Sequence, residues 1–187
     1  MYTGTNPSAL RSREWIHDAL LQLLEQRKYN QITIKDICKK ADLSRQTFYQ
    51  IFDSREEVME YHFSLLFQQF LDKCDAFQNI TRYEVTYRFF EGFLLHRDFV
   101  QILVENNMIY LLEQQFEKYL QEIAPFRKYS QRGEHGDYVT AFMAGALTRM
   151  LVHWFLRDCD LSIPELCAIT ESVLSGRALN PDNENTI

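Results

Sequence analysis

Arg45 and Gln46 stand side by side at the start of a short helical pattern. An arginine side chain can donate two hydrogen bonds to guanine, and a glutamine amide can pair in a similar way with adenine. Hydroxyl and guanidinium groups nearby in the sequence could hold phosphate oxygens and fix the register of such a complex. The side chains expected to do so are Thr33, Ser44, Thr47, Tyr49 and Arg55.

Two short helices with a tight break between them must position these side chains. Thr33 offers an oxygen to the free N–H groups of the first helix, and Asp36 follows three residues later, as in a capping box. A three-residue break ends at Ser44, which is well suited to cap the second helix. Residues 33–52 are therefore typical of a helix-turn-helix.

The second helix, at residues 45–52, combines polar and aromatic side chains. Phe48 and Phe52 are expected in the core of the domain. Tyr49 fits a buried position and a phosphate contact equally well, and both interpretations stay open. The remaining polar side chains can then face a ligand.

The chain is acidic overall, with a formal net charge of −6 over 187 residues. Residues 27–45 differ, because they contain six basic and only two acidic side chains, a net charge of +4. A local basic patch is what phosphate contact requires, whatever the charge of the remaining chain. A solvated basic face without a partner is the alternative interpretation.

Residues 33–52 resemble the DNA-binding motif of the TetR/AcrR family of transcriptional regulators. The turn Ala-Asp-Leu-Ser at residues 41–44 stands where that family usually has Ala-Gly-Val-Ser. Tyr49 and Phe52 match a family pair spaced by three residues, and Ser-Arg-Glu-Glu-Val at 54–58 replaces the usual Ser-Lys-Glu-Glu-Leu.

Asp42 departs from this pattern, because glycine is usual at its position. That position often needs a positive φ, which aspartate tolerates better than most residues. Its carboxylate would also bring negative charge close to the phosphates. The departure therefore bears on how tightly the motif holds DNA.

The resemblance implies an all-α protein in which a three-helix head is joined by a long helix to a helical-bundle body. We expect the head at residues 8–54, the body at 55–176 and a flexible tail at 177–187. Apolar periodicity without strand alternation agrees with this fold. It predicts body helices at about residues 54–78, 81–96, 98–106, 109–122, 137–157 and 162–175.

The C-terminal half resembles a domain of many Gram-positive family members, including the dihydroxyacetone-kinase regulator type. The shared order is a small-residue helix, a tryptophan, a polar loop and Ser-Ile-Pro-Glu-Leu at 162–166. In TetR-like proteins the last two helices pack against those of a second subunit, which implies a homodimer. The expected interface residues are Ala141, Gly145, Trp154, Leu166, Ile169 and Val173. Packing of the small residues within one subunit is the alternative.

The middle helices are rich in aromatic side chains, and family members enclose an inducer pocket between such helices. An apolar pocket with a few polar groups would suit a small apolar or amphipathic ligand. The candidate lining residues are Tyr87, Phe90, Phe93, His96, Phe116, Phe142 and Arg149. An ordinary core is the alternative for each of them.

The sequence lacks GxSxG, HExxH, a glycine-rich phosphate loop and a Rossmann fingerprint, so no catalysis, metal or cofactor is predicted. Its four cysteines form no CxxC pair and are expected to be reduced thiols, with redox sensing as the alternative. We expect no signal peptide and no membrane span, and hence a cytoplasmic protein.

These observations predict a homodimeric one-component transcriptional regulator, acting as a repressor, that binds double-stranded operator DNA and responds to a small ligand. The alternative is a non-enzymatic co-regulator of the same fold that binds another regulator protein. An enzyme with a helical fold is a third class, for which the sequence offers no catalytic constellation.

Overall fold

Within the residues that the structure describes, the regular elements are all helices. The computed structural model describes residue 2 and residues 4–75, 81–121 and 135–176, with the backbone alone for 73–75. The α-helices are α1 (Pro7–Leu24), α2 (Ile34–Ala41), α3 (Arg45–Ile51), α4 (Arg55–Asp75), α5 (Arg82–Leu95), α6 (Arg97–Glu105), α7 (Ile109–Leu120), α8 (Gly136–Leu156) and α9 (Ile163–Leu174), and a 3-10 helix spans Tyr29–Gln31. The all-α prediction is confirmed, and the tail predicted at 177–187 lies outside the described residues.

Side-chain caps explain where several helices begin. The Thr33 hydroxyl accepts a hydrogen bond from the backbone N–H of Asp36, whose carboxylate accepts one from the backbone N–H of Thr33. This reciprocal pair satisfies two N–H groups that lack partners within the helix. Helices α5 and α9 begin with the same arrangement, at Thr81 and Ser162. The starts of the body helices agree with the sequence prediction to within one residue.

Helices α1, α2 and α3 pack into a head that the first half of α4 closes. Phe48 and Phe52 are fully buried, as predicted, and the Tyr61 ring of α4 lies 5.9 Å from that of Phe52. Trp15, whose place in the apolar pattern of α1 predicts burial, is instead half exposed, and Ile16 and His17 point inward. The first half of α4 is therefore part of the same hydrophobic core as α3.

The body is organised around α8, which packs against α6 and α7, while α9 packs against α5. An ion pair between Arg82 and Glu171 joins α5 to α9. Trp154 is buried, and its indole N–H donates a hydrogen bond to the carbonyl of Leu161 at 2.9 Å. This contact ties the end of α8 to the turn that leads into α9.

By length and composition α8 could cross a membrane, although the sequence was expected to hold no such segment. Its most apolar stretch is 44% buried inside this chain. The core helix of a soluble protein passes the same test of length and composition, and α8 packs as such a helix does, against α6 and α7.

Candidate nucleic-acid interface

Helix α3 carries the predicted base-reading residues on its exposed side. Arg45 and Gln46 occupy its first turn and are exposed to solvent. Tyr49, one turn later, is 56% exposed, so its ring lies on the surface and not in the core. The DNA major groove admits an α-helix. These three side chains form the surface with which α3 could enter it.

The turn before α3 adopts the backbone conformation that its sequence predicts. Asp42 has φ 55° and ψ 43°, the left-handed region in which asparagine and aspartate are over-represented. The backbone N–H groups of Asp42 and Leu43 both donate to the carbonyl of Cys38, which closes the end of α2. The Asp42 side chain is exposed. It therefore places a negative charge two residues before Ser44.

Three of the predicted phosphate ligands already hold the helix starts. Ser44 accepts a hydrogen bond from the backbone N–H of Thr47 at 3.0 Å, and the two hydroxyl oxygens are 2.9 Å apart. The Thr33 hydroxyl likewise donates a hydrogen bond to the Asp36 carboxylate at 2.6 Å. Thr33 and Ser44 remain exposed, so a phosphate oxygen could reach them from solvent. Their phosphate contacts stay predictions.

Positive charge flanks α3 on the surface of the head. Lys35, Lys39 and Lys40 of α2 are exposed together with Arg45. Arg27 is balanced by Asp36, with 3.8 Å between its Nη1 and a carboxylate oxygen. Four of the six basic residues counted in residues 27–45 therefore lie on the outside of α2 and α3, where they can attract phosphates.

Tyr2 contacts the far end of α3, a feature that sequence reasoning missed. Its backbone N–H donates to the carbonyl of Ile51 at 2.8 Å, and its phenol oxygen accepts a hydrogen bond from the backbone N–H of Asn6 at 3.3 Å. The last carbonyl groups of a helix lack partners within the helix. The contact satisfies one of them and holds the N-terminal segment against α3.

Arg55 occupies a different environment from the other predicted DNA-binding residues. Its Nη1 donates hydrogen bonds to the backbone carbonyls of Tyr29, at 2.9 Å, and Ile32. Its guanidinium carbon lies 4.5 Å from the centroid of the Tyr29 ring. Arg55 thus fastens the start of α4 to the segment between α1 and α2. A phosphate contact by Arg55 stays a prediction, beside this structural role.

Replacing Arg55 with lysine distinguishes these two roles. Lysine keeps the charge but cannot present the planar donors or stack in the same way. We expect Arg55→Lys to lower the free energy of unfolding by about 1 kcal/mol and Arg55→Ala by about 2–3 kcal/mol. Denaturant titration followed by intrinsic fluorescence measures both. If Arg55→Lys keeps full stability, the hydrogen bonds from Arg55 to the two carbonyls do not stabilise the contact between α4 and this segment.

The same segment also contacts the body. The side-chain oxygen of Asn106, at the end of α6, accepts a hydrogen bond from the backbone N–H of Tyr29 at 2.8 Å. The amide nitrogen of Asn106 in turn donates to the carbonyl of Ile102. Tyr29 is therefore held from both sides, by Arg55 of α4 and by Asn106 of α6. A displacement of α6 would reach the head through this residue.

A histidine pair, with His17 buried and His62 half-buried, forms a second contact between head and body. His17 Nε2 lies 2.8 Å from His62 Nδ1, and His17 Nδ1 lies 2.9 Å from a carboxylate oxygen of Asp18. A carboxylate only accepts, so His17 donates to Asp18 and its Nε2 accepts from His62. The His62 ring also packs against the edge of Phe99 in α6, at 4.3 Å between centroids.

This pair should make the stability of the protein depend on pH. Burial, and then the nearby His17 and His96, lower the pKa of His62 to about 3 from its usual value of 6.5. The unfolded chain therefore binds a proton as pH falls below 6.5 while the folded chain resists it, so stability is lost on acidification. We expect a loss of about 1 kcal/mol between pH 7 and pH 5.5.

Equilibrium unfolding at several pH values measures this effect. His62→Gln should remove most of the change, and the exposed His135→Gln serves as the control that should leave it intact. His17, the other member of the pair, and the neighbouring titratable groups Asp18 and His96 are kept unchanged. An unaltered pH dependence in His62→Gln would mean that another group causes the acid sensitivity.

The residues predicted for a dimer interface divide into two groups. Trp154 and Leu166 are buried in the core of the single chain, and Gly145 faces α7, where a Cβ would lie 3.2 Å from a Glu113 carboxylate oxygen. Ala141 is exposed, whereas Ile169 and Val173 are half-buried. Trp154 and Leu166 thus make their contacts within one subunit, and a place in the interface stays a prediction for the other four residues.

The exposed face of α8 instead presents large apolar side chains. Tyr138, Phe142 and Leu156 are 73%, 67% and 61% exposed. Spacings of 4 and 14 residues bring them close to one line along the helix. Tyr138 and Phe142 lie one turn apart, whereas Leu156 lies about 21 Å further along the helix, beyond the exposed Arg149. Neighbouring apolar side chains on an exposed surface, such as the first two, are typical of a protein interface. Phe142, predicted for the ligand pocket, belongs to this face.

The other residues predicted for the ligand pocket lie in several different places in the body. Phe93 and His96 line a cleft between α4 and α5, and Phe116 lines a deeper cavity beside it. Arg149 lines a separate groove between α8 and α9. Phe90 is fully buried with its ring 5.8 Å from that of Trp154, while Tyr87 is half-buried near Tyr83. The structure therefore brings only part of the predicted set together.

The three cysteine thiols that the structure describes are poorly suited to redox chemistry. Burial raises the pKa of Cys167 to about 11 and also raises the pKa values of Cys38 and Cys159, so all three are protonated at neutral pH. The Cys74 side chain is not among those described. Among the described residues no three histidine, cysteine or carboxylate side chains converge as a metal site.

Residues 16–61 match the family of bacterial regulatory proteins described as the tetR family. This match covers α2, α3, the second half of α1 and the start of α4, and so includes the whole exposed surface of α3. No curated protein sequence matches the chain. The family match therefore rests on the head.

The whole fold is similar to three solved structures. Lin0861 from Listeria innocua has a TM-score of 0.77 at 15% identity, covering 96% of this chain and 97% of that one. The fatty acid degradation regulator FadR from Bacillus halodurans has a TM-score of 0.59 at 18% identity, covering 93% and 97%. The dihydroxyacetone kinase operon activator DhaS has a TM-score of 0.53 at 18% identity, covering 90% and 97%. At these identities the likeness shows the fold alone.

Proposed function

We propose that this transcriptional regulator, whose residues 16–61 form a TetR-family DNA-binding domain, binds operator DNA as a homodimer and represses transcription until a small ligand releases it. The observation that carries the proposal is the exposed pair Arg45 and Gln46 at the start of α3. Their side chains match guanine and adenine edges in the major groove. Such a protein acts in the cytoplasm, where the DNA lies.

A second copy is needed because one short helix reads few base pairs. In a symmetric dimer the two copies of α3 reach successive major grooves, about 34–36 Å apart. The face of α8 that carries Tyr138, Phe142 and Leu156 is the surface that we assign to this contact. Ala141, on the same helix, and Ile169, on α9, are exposed or half-buried and extend it. In a two-fold dimer the same patch of both subunits meets itself.

Helix α4 is suited to connect the body with the head. It carries Arg55 and His62 at the head and Phe70 beside the cleft with α5. Fifteen residues of helix separate Arg55 from Phe70, about 22 Å at 1.5 Å per residue. A ligand that prefers one position of α4 would shift the spacing of the two heads. The head at 8–54 and the body at 55–176 would then move as the two working parts.

A gel-shift assay with duplex DNA from upstream of the protein's own gene tests the proposal. We expect a specific complex that an unrelated duplex does not displace and that weakens as salt rises. Transcription from the same DNA in vitro should fall when the protein is added. A rise in transcript would be consistent with DNA binding but would show that the protein activates transcription and does not repress it.

The exposed carboxylate of Asp42 favours a second candidate, a co-regulator that binds another regulator protein. It lies at the turn, two residues before Ser44, where it would repel phosphates. In that case the gel shift should be absent even at low salt, where phosphate contacts are strongest. Asp42→Gly then provides a check, since it removes the charge and keeps the positive φ. Recovery of DNA binding in this variant would identify Asp42 as the cause.

A further inference from the structure

The 3-10 helix between α1 and α2 has no cap from its own segment. The first N–H groups of a helix lack partners within it, and the side chain just before them can supply one. Lys28, which stands at that position, makes no such hydrogen bond. The N–H of Tyr29 instead donates to the side-chain oxygen of Asn106, 77 positions further along the chain, at 2.8 Å. The body therefore supplies a cap that the head lacks.

The turn between α6 and α7 holds Asn106 in place for this contact. Its amide nitrogen donates to the carbonyl of Ile102 at 2.8 Å, which directs the amide oxygen toward Tyr29. Asn107 follows with φ 55°, the left-handed conformation in which many helices end. Met108, the next residue, is buried in the hydrophobic core. The position of the Asn106 amide is thus fixed by α6 and by the turn that follows it.

Tyr29 leads directly into the helix-turn-helix. It lies four residues before Thr33, the residue that caps α2. Tyr29 is buried, and Ile32, between the two, is fully buried. The carbonyl of Tyr29 accepts hydrogen bonds from the N–H of Ile32, at 3.1 Å, and from Arg55, at 2.9 Å. Because the backbone of Tyr29 is held on both sides, a shift of this residue must move the start of α2.

Helix α6 is linked to the head near both of its ends. Near its start, the Phe99 ring lies 4.3 Å from the ring of His62, which in turn contacts His17 of α1. At its end, Asn106 reaches Tyr29. The same helix packs against α8, on which we place the dimer face. Helix α6 therefore connects the central helix of the body with the segment that leads into α2.

From these contacts we infer that Asn106 is a positioning residue for DNA binding. By capping the 3-10 helix from the body, it makes the placement of α2 and α3 depend on the position of α6. This role rests on the proposed function and names a contact through which the body regulates the head. Coupling between two sites is reciprocal, so operator binding must also act on α6. That reverse effect can be measured without knowing the ligand.

Amide hydrogen exchange of the full chain, free and bound to its operator duplex, measures the coupling. In the wild type, operator binding should slow exchange at residues 102–108 of the body by about threefold or more. Asn106→Leu is close in size but has no acceptor oxygen, so it should lose this slowing. In the free variant the N–H of Tyr29 should exchange about fivefold faster, and operator affinity should fall by a similar factor.

Asn106→Asp separates the cap from the stability of α6. A carboxylate still accepts from the N–H of Tyr29 but, like leucine, cannot donate to the carbonyl of Ile102. Both variants should therefore lose the stability of that bond, whereas only Asn106→Asp should keep the slowed exchange on operator binding. Gln101→Leu removes an exposed amide of α6 whose partner is Glu105, and this matched control should behave as the wild type does. Circular dichroism confirms that all three variants are folded.

The two proposals fail in different ways. If Asn106→Leu binds the operator and slows exchange at residues 102–108 as the wild type does, the positioning role is wrong and the proposed regulator stands. The same holds if the wild type binds the operator with no change at residues 102–108. If the chain binds no operator and Tyr29 still exchanges faster in Asn106→Leu, the cap is correct, and the proposed function is wrong together with the role of Asn106 in DNA binding.

Discussion

Replacing both Arg45 and Gln46 with alanine is expected to abolish sequence-specific DNA binding, with a loss of affinity of at least about 100-fold. Each good contact between such a side chain and a base edge contributes about 1–3 kcal/mol of discrimination, and a dimer would lose four of them. Both residues are exposed to solvent and lie outside the hydrophobic core. The thermal stability of the variant should therefore remain that of the wild-type protein.

Fluorescence anisotropy with a labelled operator duplex measures this loss. The control is a variant with Gln114→Ala and Lys118→Ala, which removes one glutamine and one positive charge from the exposed side of α7. It should bind the operator as the wild type does. If the double variant at α3 retains specific affinity, α3 is not the element that reads the bases.

The second large effect is expected for Phe142→Asp on the exposed face of α8. A carboxylate within an apolar dimer interface would be buried without a partner. The free-energy cost of burying that charge is expected to dissociate the dimer. Phe142 is 67% exposed in the single chain, so the fold itself should tolerate the change. We expect the solution mass to fall to the 22.3 kDa of one chain, and operator affinity to fall about 100-fold or more.

Light scattering after size exclusion measures the mass of the variant. Leu94→Asp, an exposed leucine on α5, is the matched control and should remain a dimer. Should Phe142→Asp stay dimeric while Ile169→Asp becomes monomeric, the interface lies on α9 and not on this face of α8. A wild-type protein that is monomeric at all concentrations would contradict the proposed dimer.

The sequence predicted the head well, because its local signals agree with each other. The caps at Thr33 and Ser44, the left-handed residue Asp42 and the buried pair Phe48 and Phe52 all act over a few residues. Such signals fix helix starts independently of the tertiary fold. The starts of the body helices were predictable for the same reason.

Contacts between distant segments were not predictable in this way. Arg55 meets the carbonyls of Tyr29 and Ile32 only because the fold brings the start of α4 beside the 3-10 helix. The His17–His62 pair likewise joins residues 45 positions apart. A motif match assigns Arg55 a role toward phosphate, and it cannot show what else the guanidinium holds.

Which apolar residues of α8 face the core, and which face solvent, was also not predictable from the sequence. This helix is apolar on most of its circumference, so its pattern does not tell which face meets the core. Trp154 turns inward, where its indole finds the carbonyl of Leu161, and Phe142 is left outside. For the same reason the residues predicted for one pocket lie in different places, because aromatic side chains occur in the core, in the cleft between α4 and α5 and on the surface.

Selection of bound duplexes from a random pool tests the central claim most directly, because the protein itself picks out the operator sequence. The full-length protein is mixed at low salt with duplexes that carry a random central stretch, and the bound fraction is sequenced. We expect enrichment of two inverted half-sites about 10 base pairs apart, and loss of that enrichment when Arg45 and Gln46 are both replaced by alanine. A pool without enrichment, bound no better than a shuffled duplex, would contradict it.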